Sequence, residues 1–150
     1  MPRKGNMERL TCVESHSVLA TGWCVVERAK RTILIVEDEP LIREVLAEDL
    51  REAGYLVLEA KAAEDAITIL ASGSKVDLVF SDVKLAGPMS GLGLASWMRN
   101  WNRALPIVLA SGENDAVFPL DRQHVFPFLA KPFGAADVIE VVGQVLGARA

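Results

Sequence analysis

The sequence predicts an α/β fold: a parallel β-sheet with helices on both faces. Three observations carry this. Short apolar runs alternate with stretches of helical periodicity from residue 32 onward. The runs are continuously apolar, as strands buried on both faces must be, rather than alternating with polar residues. Glycines stand where the helical stretches should stop.

Each element follows in order. Residues 32–36 (T-I-L-I-V) are strand-like. Residues 40–53 place Leu41, Ile42, Val45, Leu46, Leu50 and Ala53 at helical spacing, and Gly54 closes the helix. Residues 55–60 form the second strand. Residues 62–72 put Ala66, Ile67, Leu70 and Ala71 on one face, with Gly73 ending that helix. Residues 76–80 are the third strand, and the Gly/Pro-rich loop 86–91 leads into a helix over 91–101. Residues 105–110 are the fourth strand. Residues 113–122 are weakly patterned, and Pro119 breaks any long helix there. Residues 125–130 are the fifth strand. The last helix, 135–146, buries Val138, Ile139, Val142, Val145 and Leu146.

Five strands and five helical segments joined by right-handed crossovers leave few topologies. The flavodoxin-like doubly wound order 2-1-3-4-5 is one. Pro127 supports it, because proline cannot donate to a sheet ladder and strand 5 is an edge in that order.

Length and composition bound the rest. The chain has 150 residues, 51% hydrophobic and 24% charged, which describes one globular domain. Residues 1–31 hold six Lys/Arg and three Asp/Glu, whereas residues 32–150 hold ten and seventeen. A weakly basic leader of no assigned role therefore precedes an acidic domain, and the net charge of −4 argues against nucleic acid as a partner. The leader is too short to fold alone. Its two cysteines, Cys12 and Cys24, form no CxxC pair and no disulfide framework, so a reducing compartment is expected. No apolar run approaches the roughly 18 residues of a membrane span. The uncharged stretch 15–26 is 12 residues long and is flanked by Glu14 and Glu27, unlike a signal peptide. A cytoplasmic protein without a membrane partner is expected.

In open α/β sheets the ligand site lies beyond the carboxyl ends of the strands. There the sequence has Glu37, Asp38 and Glu39 after strand 1, Asp82 after strand 3, Ser111 after strand 4 and Lys131 after strand 5. In the order 2-1-3-4-5 these four strands are consecutive neighbours, roughly 4.8 Å apart. Each group alone has an ordinary reading. The acids could cap the first helix, Asp82 and Ser111-Gly112 could be turn residues, and Lys131-Pro132 could be a surface turn. Their joint placement at one edge favours chemistry. Clustered carboxylates repel, and a hard divalent cation with oxygen ligands, Mg²⁺, relieves the conflict. A carboxylate can take a phosphoryl group, and a lysine and a hydroxyl can neutralise and hold its oxygens.

The motifs I-L-I-V-E-D-E-P-L-I-R (33–43), D-L-V-F-S-D-V-K-L (77–85), L-P-I-V-L-A-S-G (105–112) and P-F-L-A-K-P-F (127–133) are similar to the receiver domain of bacterial two-component response regulators. The resemblance spans residues 33–147. It implies that Asp82 is the phosphoacceptor and that Asp38 binds Mg²⁺ directly, with Glu37 assisting through water. It implies the Lys84 backbone carbonyl as a further metal ligand. Ser111 and Lys131 would contact the phosphoryl group, and Ser111 with Phe128 would form the switch. A cis peptide at Lys131-Pro132 is implied as well. So are a sensor histidine kinase or phosphotransfer protein as donor, an unnamed downstream protein target, and a phosphorylation-dependent homodimer. The output face would comprise residues 113–122, the fifth strand and the last helix. Ser90 stands where many relatives carry an acid.

On this reading the chain is a phosphorylatable stand-alone receiver, not an enzyme, although it assists its own phosphorylation and dephosphorylation. An aspartyl-phosphate phosphatase would need a second acid two residues after the nucleophile, and Lys84 stands there. A nucleotide- or flavin-binding module would need a Gly-rich turn after strand 1, where the chain has Glu37-Asp38-Glu39-Pro40. The remaining alternative is a receiver-like interaction module that takes no phosphate.

Overall fold

A computed structural model describes residues 29–112 and 126–147 of the chain. The expectations for the leader before residue 29, for residues 113–122 and for the start of the fifth strand lie outside the described residues. The strands are β1 (Thr32–Val36), β2 (Leu56–Ala60), β3 (Leu78–Asp82), β4 (Ile107–Ser111) and β5 (Phe128–Ala130). All pairs are parallel, and the order is β2-β1-β3-β4-β5, as the sequence predicts. Four helices lie among the described residues: α1 (Pro40–Glu52), α2 (Ala63–Ala71), α3 (Gly91–Trp101) and α4 (Ala135–Gly147).

The period of two along each strand sends alternate side chains to opposite faces. Leu34, Val36, Val79 and Leu109 therefore pack with α2 and α3 through Ala66, Leu70, Leu94 and Met98. Ile33, Ile35, Phe80 and Val108 pack with α1 and α4 through Leu46, Leu50, Val138 and Val142. Burying each such large side chain contributes about 1.5–3 kcal/mol. The central strands β1 and β3 are wholly buried, whereas the edge strands β2 and β5 are half exposed. Gly54 and Gly73, with φ of 99° and 85°, end α1 and α2 in a conformation that other residues adopt at a cost.

Several expectations need correction. Of the apolar positions on α1, Leu46 and Leu50 are buried, but Leu41, Ile42 and Val45 are exposed. Ala71 is exposed, and Ala63, about two turns earlier on α2, is buried instead. Strand β3 begins and ends two residues later than its apolar run suggests. Its register pairs Val36 with Ser81 and Asp82 with Ala110, so two polar residues are drawn into the buried ladder. Pro127 precedes β5 rather than sitting in it. Its carbonyl accepts a hydrogen bond from the Leu109 N–H at 2.9 Å, a role that needs no proline N–H. Among the described residues no helix is long and apolar enough to cross a membrane.

Candidate functional site

Parallel pairing fixes where the polar groups meet. β1, β3, β4 and β5 all point the same way, so their carboxyl ends share one edge of the sheet. Asp82 is the last residue of β3, beside Ala110. Ser111 ends β4 and pairs with Ala130, and the Lys131 N–H donates to the Ser111 carbonyl at 2.8 Å. The Lys131–Pro132 peptide is cis. Just beyond it, Phe133 packs edge-to-face on Phe80, with centroids 6.0 Å apart, which ties the lysine-bearing loop to the core.

Asp82 is the centre of the cluster. Lys131 Nζ donates to Asp82 Oδ2 at 2.6 Å, and the Lys84 N–H donates to Asp82 Oδ1 at 3.1 Å. Asp82 is only 5% exposed, whereas the Lys131 side chain is 36% exposed. The pair is thus a buried carboxylate whose cation is reached from solvent. Glu37 is buried beside it. Burial, then the negative charge of Asp82, push the Glu37 carboxyl up from its ordinary 4.5 to about 7, although the Glu39 N–H bond at 3.2 Å pulls the other way. Asp38 lies between Glu37 and Glu39 on the exposed side of the loop and also interacts with the Glu37 carboxyl.

These acids do not cap α1 through a side-chain hydrogen bond. Glu39 occupies the N-cap of α1 without a side-chain cap bond, and no acid lies in the first turn. Capping does explain Ser90, whose hydroxyl accepts the Gly93 N–H at 3.1 Å at the start of α3.

The donor set suits a hard cation. It consists of carboxylate oxygens crowded enough to hold a proton near neutrality, the conflict that a divalent ion relieves. Among the described residues no three acid, His or Cys side chains converge closely enough to hold a metal by themselves. A set completed by a backbone carbonyl and retained water, as Mg²⁺ prefers, fits that spacing.

The other predicted residues are placed as follows. The Ser111 hydroxyl donates to the Gly112 carbonyl at 3.3 Å, at the strand end next to Lys131. Phe128 lies on β5 and is 42% exposed. The Lys84 backbone abuts Asp82 through its N–H.

Three participants escaped the sequence reading. Gly91 comes so close to the end of β3 that an added Cβ would overlap the Asp82 carbonyl oxygen, and its N–H donates to the Val83 carbonyl at 2.8 Å. Arg43 donates to the Glu37 carbonyl at 2.8 Å, and its Nε lies 3.6 Å from Glu59 Oε1. Glu59 in turn holds Arg51 at 3.1 Å. A cation in the first turn of a helix is electrostatically disfavoured, and that was the legible signal for Arg43. Trp97 and Trp101 stack at 5.2 Å on α3, away from the site. A groove of about 650 Å³ at the β2 edge, lined by Lys30, Arg51, Tyr55 and Lys75 among others, has no carboxylate in its lining.

Comparison with known proteins agrees with this arrangement. The family model of the response regulator receiver domain matches residues 33–143. The transcriptional regulatory protein PdtaR of Mycobacterium tuberculosis is 40% identical over 115 residues, covering 75% of this chain and 55% of that protein. The response regulator protein FleR of Pseudomonas aeruginosa is 33% identical over 114 residues, covering 75% of this chain and 24% of that protein. The chain thus spans about half the length of the first relative and a quarter of the second. The crystal structure of a response regulator receiver protein from Sinorhizobium medicae superposes with a TM-score of 0.69 at 31% identity, over 81% of this chain and 98% of that one. With this edge of acids, lysine and hydroxyl, and these relatives, the chain belongs to the response regulator receiver domain family of two-component signalling.

Proposed function

We propose that Asp82 accepts a phosphoryl group from a phosphohistidine of a sensor histidine kinase or phosphotransfer protein, in the cytoplasm, and that the charged form signals through a protein partner. The observation that carries this is the 2.6 Å contact between Lys131 and a buried Asp82, with Glu37 buried alongside. An Asp82 Oδ attacks phosphorus as the bond from phosphorus to the donor histidine nitrogen breaks, and that electron pair stays on the imidazole. Glu37, Asp38, Asp82 and the Lys84 carbonyl would hold Mg²⁺, which neutralises phosphoryl oxygens when bound. The Lys131 ammonium shifts from the carboxylate to a phosphoryl oxygen, a move that its flexible stem permits. The Ser111 hydroxyl donates to another oxygen, and Phe128 on the adjacent strand responds to that movement. Transfer is thus positioning and charge compensation by a module, not turnover by an enzyme.

Intact-protein mass spectrometry after incubation with acetyl phosphate and Mg²⁺ tests the reading. One phosphoryl group on the wild type and none on Asp82→Asn is the expected result. Equal labelling of both proteins overturns the assignment and favours another residue.

A further inference from the structure

Arg43 has a placement that helix energetics does not explain. It lies in the first turn of α1, where the helix dipole disfavours a cation. It is nevertheless mostly buried, with 20% of its side chain exposed. Its guanidinium spans two elements, donating through Nη1 to the Glu37 carbonyl at 2.8 Å and placing Nε 3.6 Å from Glu59 Oε1 on β2. The Glu59 carboxylate is itself held by Arg51 Nη2 at 3.1 Å from the last turn of α1. The Glu37 N–H donates to the Ala60 carbonyl at 3.1 Å. The backbone of Glu37 is therefore fixed at both ends, at N–H by β2 and at C=O by Arg43. Asp38 hangs from that same fixed carbonyl.

We infer that Arg43 is a positioning residue for the cation: it sets the backbone that presents Glu37 and Asp38, and Glu59 orients its guanidinium. This rests on the Mg²⁺ reading of the site given above. The planar fork of Arg suits the task, since one nitrogen reaches the carbonyl while another faces the carboxylate. An ammonium is a single point and does not span both.

Two effects of removing Arg43 have opposite signs, which makes the inference testable. If Arg43 acted only by its field, its loss would remove a cation near the acids and tighten Mg²⁺ binding. If it positions the loop, its loss loosens the ligands and weakens binding. Outer-shell partners of metal ligands typically contribute roughly 10- to 100-fold in affinity.

The test is calorimetric Mg²⁺ titration of the full chain as wild type, Arg43→Met, Arg43→Lys, and Arg43→Met combined with Glu59→Gln. The expected result is a Kd raised roughly tenfold in Arg43→Met and raised in Arg43→Lys, where the charge is kept. The double variant should bind no more weakly than Arg43→Met, because Glu59 acts through Arg43. Acetyl phosphate labelling should return to the wild-type rate at saturating Mg²⁺, a recovery that general damage to the fold would not give. If Arg43→Met does not fold, Arg43→Lys decides alone, because a field effect leaves it unchanged. Binding as tight as wild type in the folded variants overturns the role of Arg43 while leaving the site intact. A wild type that takes up no Mg²⁺ overturns the cation reading, and this role with it.

Discussion

Lys131 and Asp82 are 49 positions apart in the chain, yet Nζ and Oδ2 are 2.6 Å apart. The contact exists because β4 separates their strands by one place on each side and all three strands end at one edge. Lys131 is therefore the counter-ion of the carboxylate and a competitor for any other cation that approaches it.

The two roles separate in Lys131→Ala. Without the competing ammonium, Mg²⁺ is expected to bind several-fold more tightly, whereas labelling by acetyl phosphate is expected to slow by roughly 10²-fold, as when one charge-stabilising donor is removed. Calorimetry gives the first and the initial labelling rate the second. Weaker Mg²⁺ binding in this variant would contradict the competition.

The raised Glu37 carboxyl makes a signed pH prediction. Its ordinary value is 4.5 and its folded value about 7, so between these limits the folded chain holds a proton that the unfolded chain has lost. Stability of the cation-free protein should therefore fall as pH rises through this window, by on the order of 1–3 kcal/mol. Glu37→Gln, which cannot ionise, should flatten that dependence. Mg²⁺ affinity should rise over the same window in the wild type, as the proton leaves the ligand. Chemical denaturation at a series of pH values checks the sign, and a stability that rises from pH 5 to 7 through Glu37 would contradict it.

Gly91→Ala and Gly54→Ala should differ in kind. At Gly91 the new methyl meets the Asp82 backbone, which cannot yield without moving the phosphoacceptor. A loss of roughly 2–4 kcal/mol is expected, with reduced labelling in whatever protein remains folded. At Gly54 the space is open, and only the φ of 99° opposes a side chain. About 1 kcal/mol is expected there, with labelling intact. Thermal unfolding and labelling measured together separate the two cases.

Ser90 caps α3 through its hydroxyl, which accepts the Gly93 N–H. Ser90→Ala should cost about 1 kcal/mol, and Ser90→Asp should restore most of it. Thermal melts decide, and an unaltered Tm in Ser90→Ala would show the cap to be idle.

Much of this was legible in the sequence because two-sided burial leaves a coarse mark. β1 reads as a strand because all five of its residues are buried. The strand order brought Asp82, Ser111 and Lys131 to one edge before any distance was known. What was not legible depends on contacts between elements. Ser81 and Asp82 extend β3 because backbone pairing with Val36 and Ala110 outweighs their polarity. Leu41, Ile42 and Val45 have helical spacing, but only the Leu46–Leu50 side of α1 meets the sheet. The link from Arg43 to Glu59 joins a helix to a strand 16 positions away, a relation that no local period encodes.

The central claim is that Asp82 itself carries the phosphoryl group. The most direct measurement is borohydride reduction of the protein after acetyl phosphate and Mg²⁺ treatment, followed by peptide mapping. An acyl phosphate is reduced to an alcohol, so residue 82 should be recovered as homoserine, only when Mg²⁺ was present. Recovery of unmodified aspartate at position 82 from fully labelled protein, or reduction at a different acid, would contradict the account.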